Sequence, residues 1–237
     1  MGRTAILIDG GFYQKRAAIL FGRKSAKDRA DEVFAYCCRH LHQTDKTTNE
    51  LYRIFSYDCE PSDKNVYHPL TKSSINLGKT DLYEWNKTFL NSLSHKRKVA
   101  LRMGELLEGS NYTLLPKVIN DLCRGTRDLD SLTEKDFFLD IKQKGVDMRI
   151  GLDVASIAQK RLVDQVVLIA GDSDFVPVAK HARREGIDFI LDSLWQPIRP
   201  SLTRHIDGLC SRTTNPNKML QKGAKKDPLV ASGHQRW

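Results

Sequence analysis

The fold is decided by the stretch Val166–Leu191, which reads VVLIAGDSDFVPVAKHARREGIDFIL. Its two ends, Val166–Ala170 and Ile187–Leu191, are short and continuously apolar, which is the pattern of parallel strands covered on both faces. Between them, the apolar residues of 175–185 repeat at helical spacing, and Gly186 follows where a glycine commonly ends a helix. The stretch therefore predicts one right-handed strand–helix–strand crossover.

The same patterns recur outside this crossover. Ala5–Ile8 is a third continuously apolar run, and residues 13–21 after it have the spacing of a helix. Two further strands are expected at Leu51–Tyr57 and Lys98–Met103, with a helix near 81–93 between them. Alternating strands and helices of this kind predict an α/β fold, doubly wound, with a mostly parallel sheet and helices on both faces.

The chain divides into one domain and a tail. Residues 1–212 are predicted to form the domain, with an insertion at its rim near 58–80, because the stretch between Asp58 and Asp81 shows no clear element. Residues 213–237 carry five Lys or Arg and one Asp, a net charge of +4. This polar, basic tail is predicted to be disordered.

Composition narrows the class of protein. The chain has 237 residues, 40% of them hydrophobic and 28% charged, which is typical of a globular protein. It has 38 Lys and Arg against 29 Asp and Glu, a net charge of +9, which favours a polyanionic partner. No window approaches the roughly 18 apolar residues of a membrane span, and we expect a cytoplasmic protein with no membrane partner. None of the five cysteines forms a CxxC pair, so reduced thiols are expected.

Three aspartates follow the predicted strands directly. Asp9 ends the first strand, and Asp172 and Asp174 stand just beyond Val166–Ala170. Ligand sites in open α/β sheets form outside the carboxyl ends of the strands, so these three carboxylates are expected to share one crevice. Each has a simpler interpretation as a turn or helix-capping residue.

Two more aspartates belong to a helix that is expected to begin near Asp147. Asp147 is either an N-cap or a member of the acidic group. Asp153 falls within the apolar stripe of this helix, where a carboxylate is costly unless it is paired or binds a metal ion. A buried, hydrogen-bonded Asp153 is the alternative.

Carboxylates that converge within several ångströms repel by roughly 4 kcal/mol per close pair at an intermediate dielectric constant. A cation is therefore expected among them. No His or Cys is interleaved, and an all-oxygen ligand set suits Mg²⁺ or Mn²⁺ rather than zinc. Such an ion beside basic residues points to phosphodiester chemistry, in which it activates a water and neutralises the phosphate.

Several segments resemble the LabA-like group of NYN domains, within the PIN-like nuclease superfamily. They are Ile6–Gly11, Lys144–Asp147 with Asp153, Ala170–Phe175, Arg53–Asp58 and Val99–Leu106. The resemblance covers roughly residues 3–195. It implies a metal-dependent ribonuclease with Asp9, Asp153 and Asp172 as metal ligands, and with Asp147 and Asp174 completing the acidic group. The candidate catalytic residues are Asp9, Asp153, Asp172 and Asp174.

Five residues are candidate contacts to nucleic acid: Lys144, Lys96, Arg97, Lys98 and Tyr57. The lysines and the arginine would meet phosphates, although solvated surface charge is the alternative for each of them. Tyr57 would stack on an unpaired base.

The first functional hypothesis is a metal-dependent nuclease that acts on RNA, either single-stranded or structured, as an endoribonuclease. The second is a nucleic-acid-binding regulator with the same fold and no turnover, which Phe12 favours because many NYN domains have Asn at this position. A haloacid-dehalogenase-like phosphatase is disfavoured, because Gly11 stands where that fold expects a second Asp. The oligomeric state, a homo-oligomer included, stays open.

Overall fold

The computed structural model describes residues 2–44, 47–106, 111–141 and 143–216, without the side chains of 43 and 44. Its strands are β1 (Arg3–Asp9), β2 (His42–Thr44), β3 (Thr47–Thr48), β4 (Glu50–Cys59), β5 (Asn65–His68), β6 (Ser73–Asn76), β7 (Val99–Leu106), β8 (Tyr112–Leu114), β9 (Phe137–Leu139), β10 (Gln143–Lys144), β11 (Gln165–Ile169), β12 (Asp188–Asp192) and β13 (Gly208–Leu209). Its helices are α1 (Gly10–Phe21), α2 (Ala26–Arg39), α3 (Asp81–Ser94), α4 (Pro116–Cys123), α5 (Val146–Gln159), α6 (Val176–Arg184) and α7 (Pro200–Thr203), with short 3₁₀ turns at Leu77–Lys79, Leu129–Ser131, Glu134–Asp136 and Ser173–Phe175.

Seven strands form one sheet in the order β10-β7-β4-β1-β11-β12-β13. Every neighbouring pair is parallel except β10 and β7. From β1 the chain builds outward to β4 and β7 on one side, and later to β11, β12 and β13 on the other. The point where the strand order reverses therefore lies between β1 and β11, which is where open α/β sheets bind ligands.

Two cores cover the two faces of this sheet. Along β1, Ala5 and Leu7 face the core formed with α5, α6 and α7, whereas Ile6 and Ile8 face the core formed with α1, α2 and α3. All four side chains are at most 1% exposed. Because both faces are buried, the strand is apolar at every position, as the sequence predicted. The α/β, doubly wound fold with helices on both faces is confirmed.

The crossover at residues 166–191 is present as predicted, with small shifts at its ends. Gly186 follows the end of the helix in the left-handed conformation, at φ 81°. The helix itself begins at Val176, after a 3₁₀ turn. The helix after β1 begins at Gly10 and not at residue 13, because the Asp9 carboxylate accepts the Phe12 N–H and starts the helix at the end of the strand.

The expectation that residues 58–81 lack clear structure was wrong. This segment contains the antiparallel hairpin of β5 and β6, which pairs Asn65 with Asn76 and His68 with Ser73. The hairpin packs on β8 and β9 through His68, whose ring lies 4.3 Å from that of Tyr112. Strands of only four residues are too short to give a clear alternation of apolar and polar residues.

Only residues 213–216 of the basic tail belong to the described part of the chain, and 217–237 lie outside it. All five cysteines are free thiols, as expected. None of the helices in the described ranges has the length and apolar character needed to cross a bilayer.

Candidate acidic active site

A cavity of about 550 Å³ opens at the carboxyl ends of β1 and β11, at the reversal of the strand order. Asp9, the last residue of β1, and Asp172, just after β11, both line it. Three cations line the same cavity: Lys15, Arg16 and Arg199. We call this cavity the acidic cleft. The sequence predicted one crevice for Asp9, Asp172 and Asp174, and the first two are among the residues that line this cleft, whereas Asp174 is not.

Helix capping and membership of the acidic cleft are compatible in both residues. Oδ1 of Asp9 accepts the Phe12 N–H at 3.0 Å, and Oδ1 of Asp172 accepts the Asp174 N–H at 3.1 Å. Each capping bond uses one oxygen of a carboxylate that also lines the cleft. The backbone bond fixes the direction of the side chain, so capping here orients the carboxylate.

Two glycines allow the strand ends to approach this closely. A Cβ on Gly10 would lie 2.6 Å from both the Asp58 Oδ2 and the Tyr57 carbonyl oxygen. A Cβ on Gly171 would lie 2.4 Å from the ring of Phe12. A side chain at position 10 would therefore push the end of β4 away from β1, and one at position 171 would displace the Phe12 ring.

Burial and like charge act on Asp9 together. Its pKa is raised from 3.8 to about 6, chiefly because the carboxylate is removed from water. The hydrogen bond from the Phe12 N–H lowers the pKa, the charges of Asp147 and Asp58 raise it, and Lys15 lowers it. Asp9 is thus a carboxylate whose charge the fold only partly compensates.

Asp147 links Asp9 to the aspartates after β11. Its pKa is raised by burial and then by the charges of Asp172 and Asp174. It lies in the first turn of α5, whose N-cap is Gly145 and not Asp147. The capping interpretation of Asp147 was therefore wrong, and the residue belongs electrostatically to the acidic group.

Asp58 is a member of the acidic group that the sequence analysis missed. It stands near the end of β4, is 6% exposed, and has a pKa raised by burial. Three donors hold its oxygens: the Cys59 N–H at 2.8 Å, and the amides of Gln143 and Gln14 at 3.1 Å. The rule that found Asp9 also applies to Asp58, since β4 runs parallel to β1.

Asp153 lies apart from this group. It is six residues beyond Asp147 on α5, about 9 Å along the helix axis. Its Oδ2 accepts the Tyr57 hydroxyl at 2.8 Å and pairs with the Arg102 Nε at 2.9 Å. Metal ligation by Asp153 would compete with both bonds. Pairing explains how a carboxylate is accommodated in this helix face.

The chemistry of the acidic group suits a hard dication, since every donor is a carboxylate oxygen and burial and repulsion raise several of the pKa values. The arrangement is not closed around one point. Within the ranges that the structure describes, no three Asp, Glu, His or Cys side chains come close enough to hold a metal ion. The donor type therefore fits, and ligation would require these side chains to draw together.

The structure separates most of the predicted RNA contacts from the acidic cleft. Tyr57 is 0% exposed, so its ring has no face left for a base, and its prediction as a stacking residue is not supported. Lys96, Arg97 and Lys98 precede β7 and so lie at the amino edge of the sheet, opposite the cleft. Lys96 pairs with Asp31, and Lys98 with Glu50 at 3.2 Å. Lys144 alone lies at the carboxyl edge, paired in register with Glu105.

The fold and the acidic cleft define an α/β protein with the architecture of a PIN-like domain. Residues 101–206 match the family model of the NYN domain, a member of the PIN-like nuclease superfamily. The matched segment contains Asp147, Asp153, Asp172 and Asp174. The match supports the NYN part of the resemblance, and the LabA-like subgroup stays a prediction.

The matches among solved structures are weak. One is a protein of unknown function from Vibrio parahaemolyticus, with 13% identity and a TM-score of 0.44 over 90% of this chain and 94% of that one. Another, described under the mechanism and regulation of Sir2 enzymes, has 7% identity and a TM-score of 0.33 over 94% and 91%. The comparison with curated proteins gave no match.

Proposed function

We propose that this protein is a divalent-metal-dependent ribonuclease of the NYN type. The observation that carries the proposal is the acidic cleft itself. Asp9 and Asp172 line the cleft at the reversal of the strand order, and Asp147 lies within electrostatic reach of both. Asp9 and Asp147 have raised pKa values, and perturbed carboxylates beside a cleft are typical of catalytic sites.

Asp9, Asp147, Asp172 and Asp174 are the residues that would hold Mg²⁺ or Mn²⁺. When bound, the ion would neutralise charge on the scissile phosphate and activate a water. The chain's own cations, Lys15, Arg16 and Arg199, line the same cleft and would bind the phosphates on either side. Asp9, with a pKa of about 6, is mostly ionised at neutral pH and is then a competent ligand.

One observation favours the second candidate, a regulator that binds RNA without cleaving it. Phe12 faces the acidic cleft, and its ring packs on Gly171 between the strand ends that carry Asp9 and Asp172. A phenyl ring supplies no hydrogen bond to a water or phosphate at this position. The protein would then keep the cleft for binding alone.

Cleavage of labelled RNA separates the two candidates. The full chain is incubated with a single-stranded RNA and with a hairpin RNA, in EDTA, Mg²⁺ or Mn²⁺. We expect cleavage only with a dication, and a loss of about 100-fold or more in Asp9→Asn and in Asp172→Asn. Both substitutions keep an oxygen that can cap the following turn.

Asp188→Asn is the matched control, because Asp188 starts β12 at the opposite edge of the sheet. It should cleave at the wild-type rate. Cleavage by both cleft variants at wild-type rates would contradict the proposed site, and cleavage in EDTA would contradict the role of the metal. RNA binding without cleavage in any metal would support the regulator. The cytoplasmic location stays a prediction.

A further inference from the structure

A second cavity, of about 410 Å³, lies beside the acidic cleft. The two cavities share Gly11, Lys15 and Gln143 in their walls. The second cavity is closed on its other sides by α3, through Tyr83 and Asn86, and by apolar side chains from several elements. We call it the side groove. Its continuity with the acidic cleft means that one ligand can occupy both.

Asp58 fixes the polar part of the side groove. Its Oδ2 accepts from the Gln14 Nε2 and its Oδ1 from the Gln143 Nε2, each at 3.1 Å. An ionised carboxylate only accepts hydrogen bonds, so the amide nitrogens must face Asp58. The carbonyl oxygens of Gln14 and Gln143 therefore remain as acceptors for a ligand, beside the second N–H of each amide, and both residues line the groove.

Most of the remaining lining of the side groove is apolar and partly open to solvent, and Glu60, Ser62, Thr80 and Asn86 are its other polar members. Leu82 is 69% exposed and Ile141 is 41% exposed, and Tyr83 is half-buried beside them. An apolar concave surface with a few fixed polar groups is typical of a binding pocket for a small planar group. An unpaired nucleobase has this chemistry, with an apolar face and a polar edge.

Lys15 connects the place where a base would bind with the place where a phosphate would bind. Its side chain lines both the acidic cleft and the side groove, so it lies where the two cavities meet. A phosphate held by Lys15 at this junction would direct its own nucleotide toward the groove. Among the described residues that line the side groove, Lys15 is the only cation.

We propose that the side groove binds one unpaired base of an RNA strand whose phosphate lies in the acidic cleft. The carbonyl oxygens of Gln14 and Gln143 accept hydrogen bonds from the exocyclic amino group of cytosine or adenine, which uracil lacks. Asp58 is a positioning residue, which acts by setting the direction of the two amides. The inference rests on the proposed function, since it takes RNA as the ligand of the cleft.

Binding in EDTA tests this without any need for cleavage. The probes are fluorescein-labelled RNA oligomers of equal length and charge: oligo-C, oligo-A, oligo-U and an abasic ribose-phosphate chain. Fluorescence anisotropy with the full chain should give about fivefold tighter binding of oligo-C and oligo-A than of oligo-U. The abasic chain should bind most weakly of the four.

Variants assign the preference to the side groove. Gln14→Leu and Gln143→Leu should each reduce the ratio of oligo-C to oligo-U affinity toward one, whereas Gln159→Leu, at the exposed end of α5, should leave the ratio unchanged. Tyr83→Leu should weaken oligo-C, oligo-A and oligo-U alike. Tyr67→Leu is its control, because Tyr67 lies on the β5–β6 hairpin and is 55% exposed.

Asp58→Asn separates positioning from simple structural support. Its amide can donate as well as accept, so the glutamine amides lose their fixed direction. The oligo-C preference should fall while the affinity for oligo-U changes little. An equal loss of affinity for every oligomer would indicate a structural role.

Equal affinities of the wild type for oligo-C, oligo-A and oligo-U would overturn the inference, and so would equal binding of the abasic chain or no binding at all. These outcomes are independent of turnover. A base preference without cleavage would keep the side groove and reject the nuclease. Cleavage without a base preference would keep the nuclease and reject the groove.

Discussion

Asp192 and Asp9 both end central parallel strands, yet their surroundings differ completely. Asp192 is 0% exposed, and it accepts hydrogen bonds from the Tyr36 hydroxyl and Ser211 Oγ and pairs with His40 Nε2 at 2.8 Å. The Leu194 N–H completes the set at 2.8 Å. Asp9 has one backbone donor, and two carboxylates, those of Asp147 and Asp58, raise its pKa.

This difference separates a structural carboxylate from a functional one. Position at a strand end and burial are common to both residues, so neither property alone marks a site. Buried polar groups are normally satisfied by hydrogen bonds, as Asp192 is. The incomplete compensation around Asp9 favours it as the residue that would bind a ligand.

Of the substitutions that test this comparison, Asp192→Asn should have the largest effect on stability. Its amide cannot replace a carboxylate that serves several donors and an imidazole, so we expect unfolding to become easier by about 3 kcal/mol. That corresponds to a fall in melting temperature of about 6–12 °C, measured by calorimetry in EDTA. Asp188→Asn, at the other end of the same strand, should change little. An unchanged melting temperature in Asp192→Asn would show that this network adds no stability.

Asp9→Asn should have the opposite sign and a smaller size. Because the pKa of Asp9 is about 6 in the folded chain and 3.8 in the unfolded chain, protonation stabilises the fold fully below about pH 3.8, and this contribution is lost as the pH rises through 6. At about pH 7.5 in EDTA the variant should therefore be more stable than the wild type by about 1–2 kcal/mol. Near pH 4 the two should unfold alike, as denaturant titrations at both pH values would show.

A variant that is less stable than the wild type at the higher pH would mean that Asp9 is compensated like Asp192. Asp188→Asn serves again as the control, since the residue it replaces lies at the opposite edge of the sheet.

Asp153→Asn should have the smallest effect on stability, and it extends the comparison to a third carboxylate. The Tyr57 hydroxyl and Arg102 already satisfy this carboxylate, as the partners of Asp192 do. We therefore expect equal Mn²⁺ affinity in the wild type and the variant by calorimetry, with a loss of stability of about 1 kcal/mol. A large loss of Mn²⁺ affinity would instead place Asp153 among the metal ligands.

The sequence predicted the central part of the fold because burial on both faces leaves a strong pattern. Val166–Ala170 and Ala5–Ile8 are apolar at every position, and few other structures produce such runs next to Gly and Asp. The β5–β6 hairpin was missed because its strands are short. The two-residue strand β10 exists only through its pairing with β7, which no local pattern records.

The part of the candidate site that lies directly at the ends of strands was predictable from the sequence. Asp9, Asp172 and Asp174 follow apolar runs, so the sequence placed them at one edge. The role of Asp58 depends on the order of strands, since it reaches the acidic group only because β4 lies next to β1. Lys96–Lys98 were predicted as nucleic-acid contacts, and because they precede a parallel strand they lie at the edge opposite the cleft. The burial of Tyr57 depends on packing in the core and on its bond to Asp153, which no local pattern records.

Gln143, which lies in the walls of both cavities, is held by β10, and β10 pairs with β7 through two residues alone. A strand so short at the edge of a sheet opens locally at a free energy well below that of global unfolding. Asp9 instead ends β1, which pairs with β4 on one side and with β11 on the other. Opening of this wall and unfolding of the central sheet are therefore separate equilibria: β10 can separate from β7 and pair again while β1 keeps both of its neighbours.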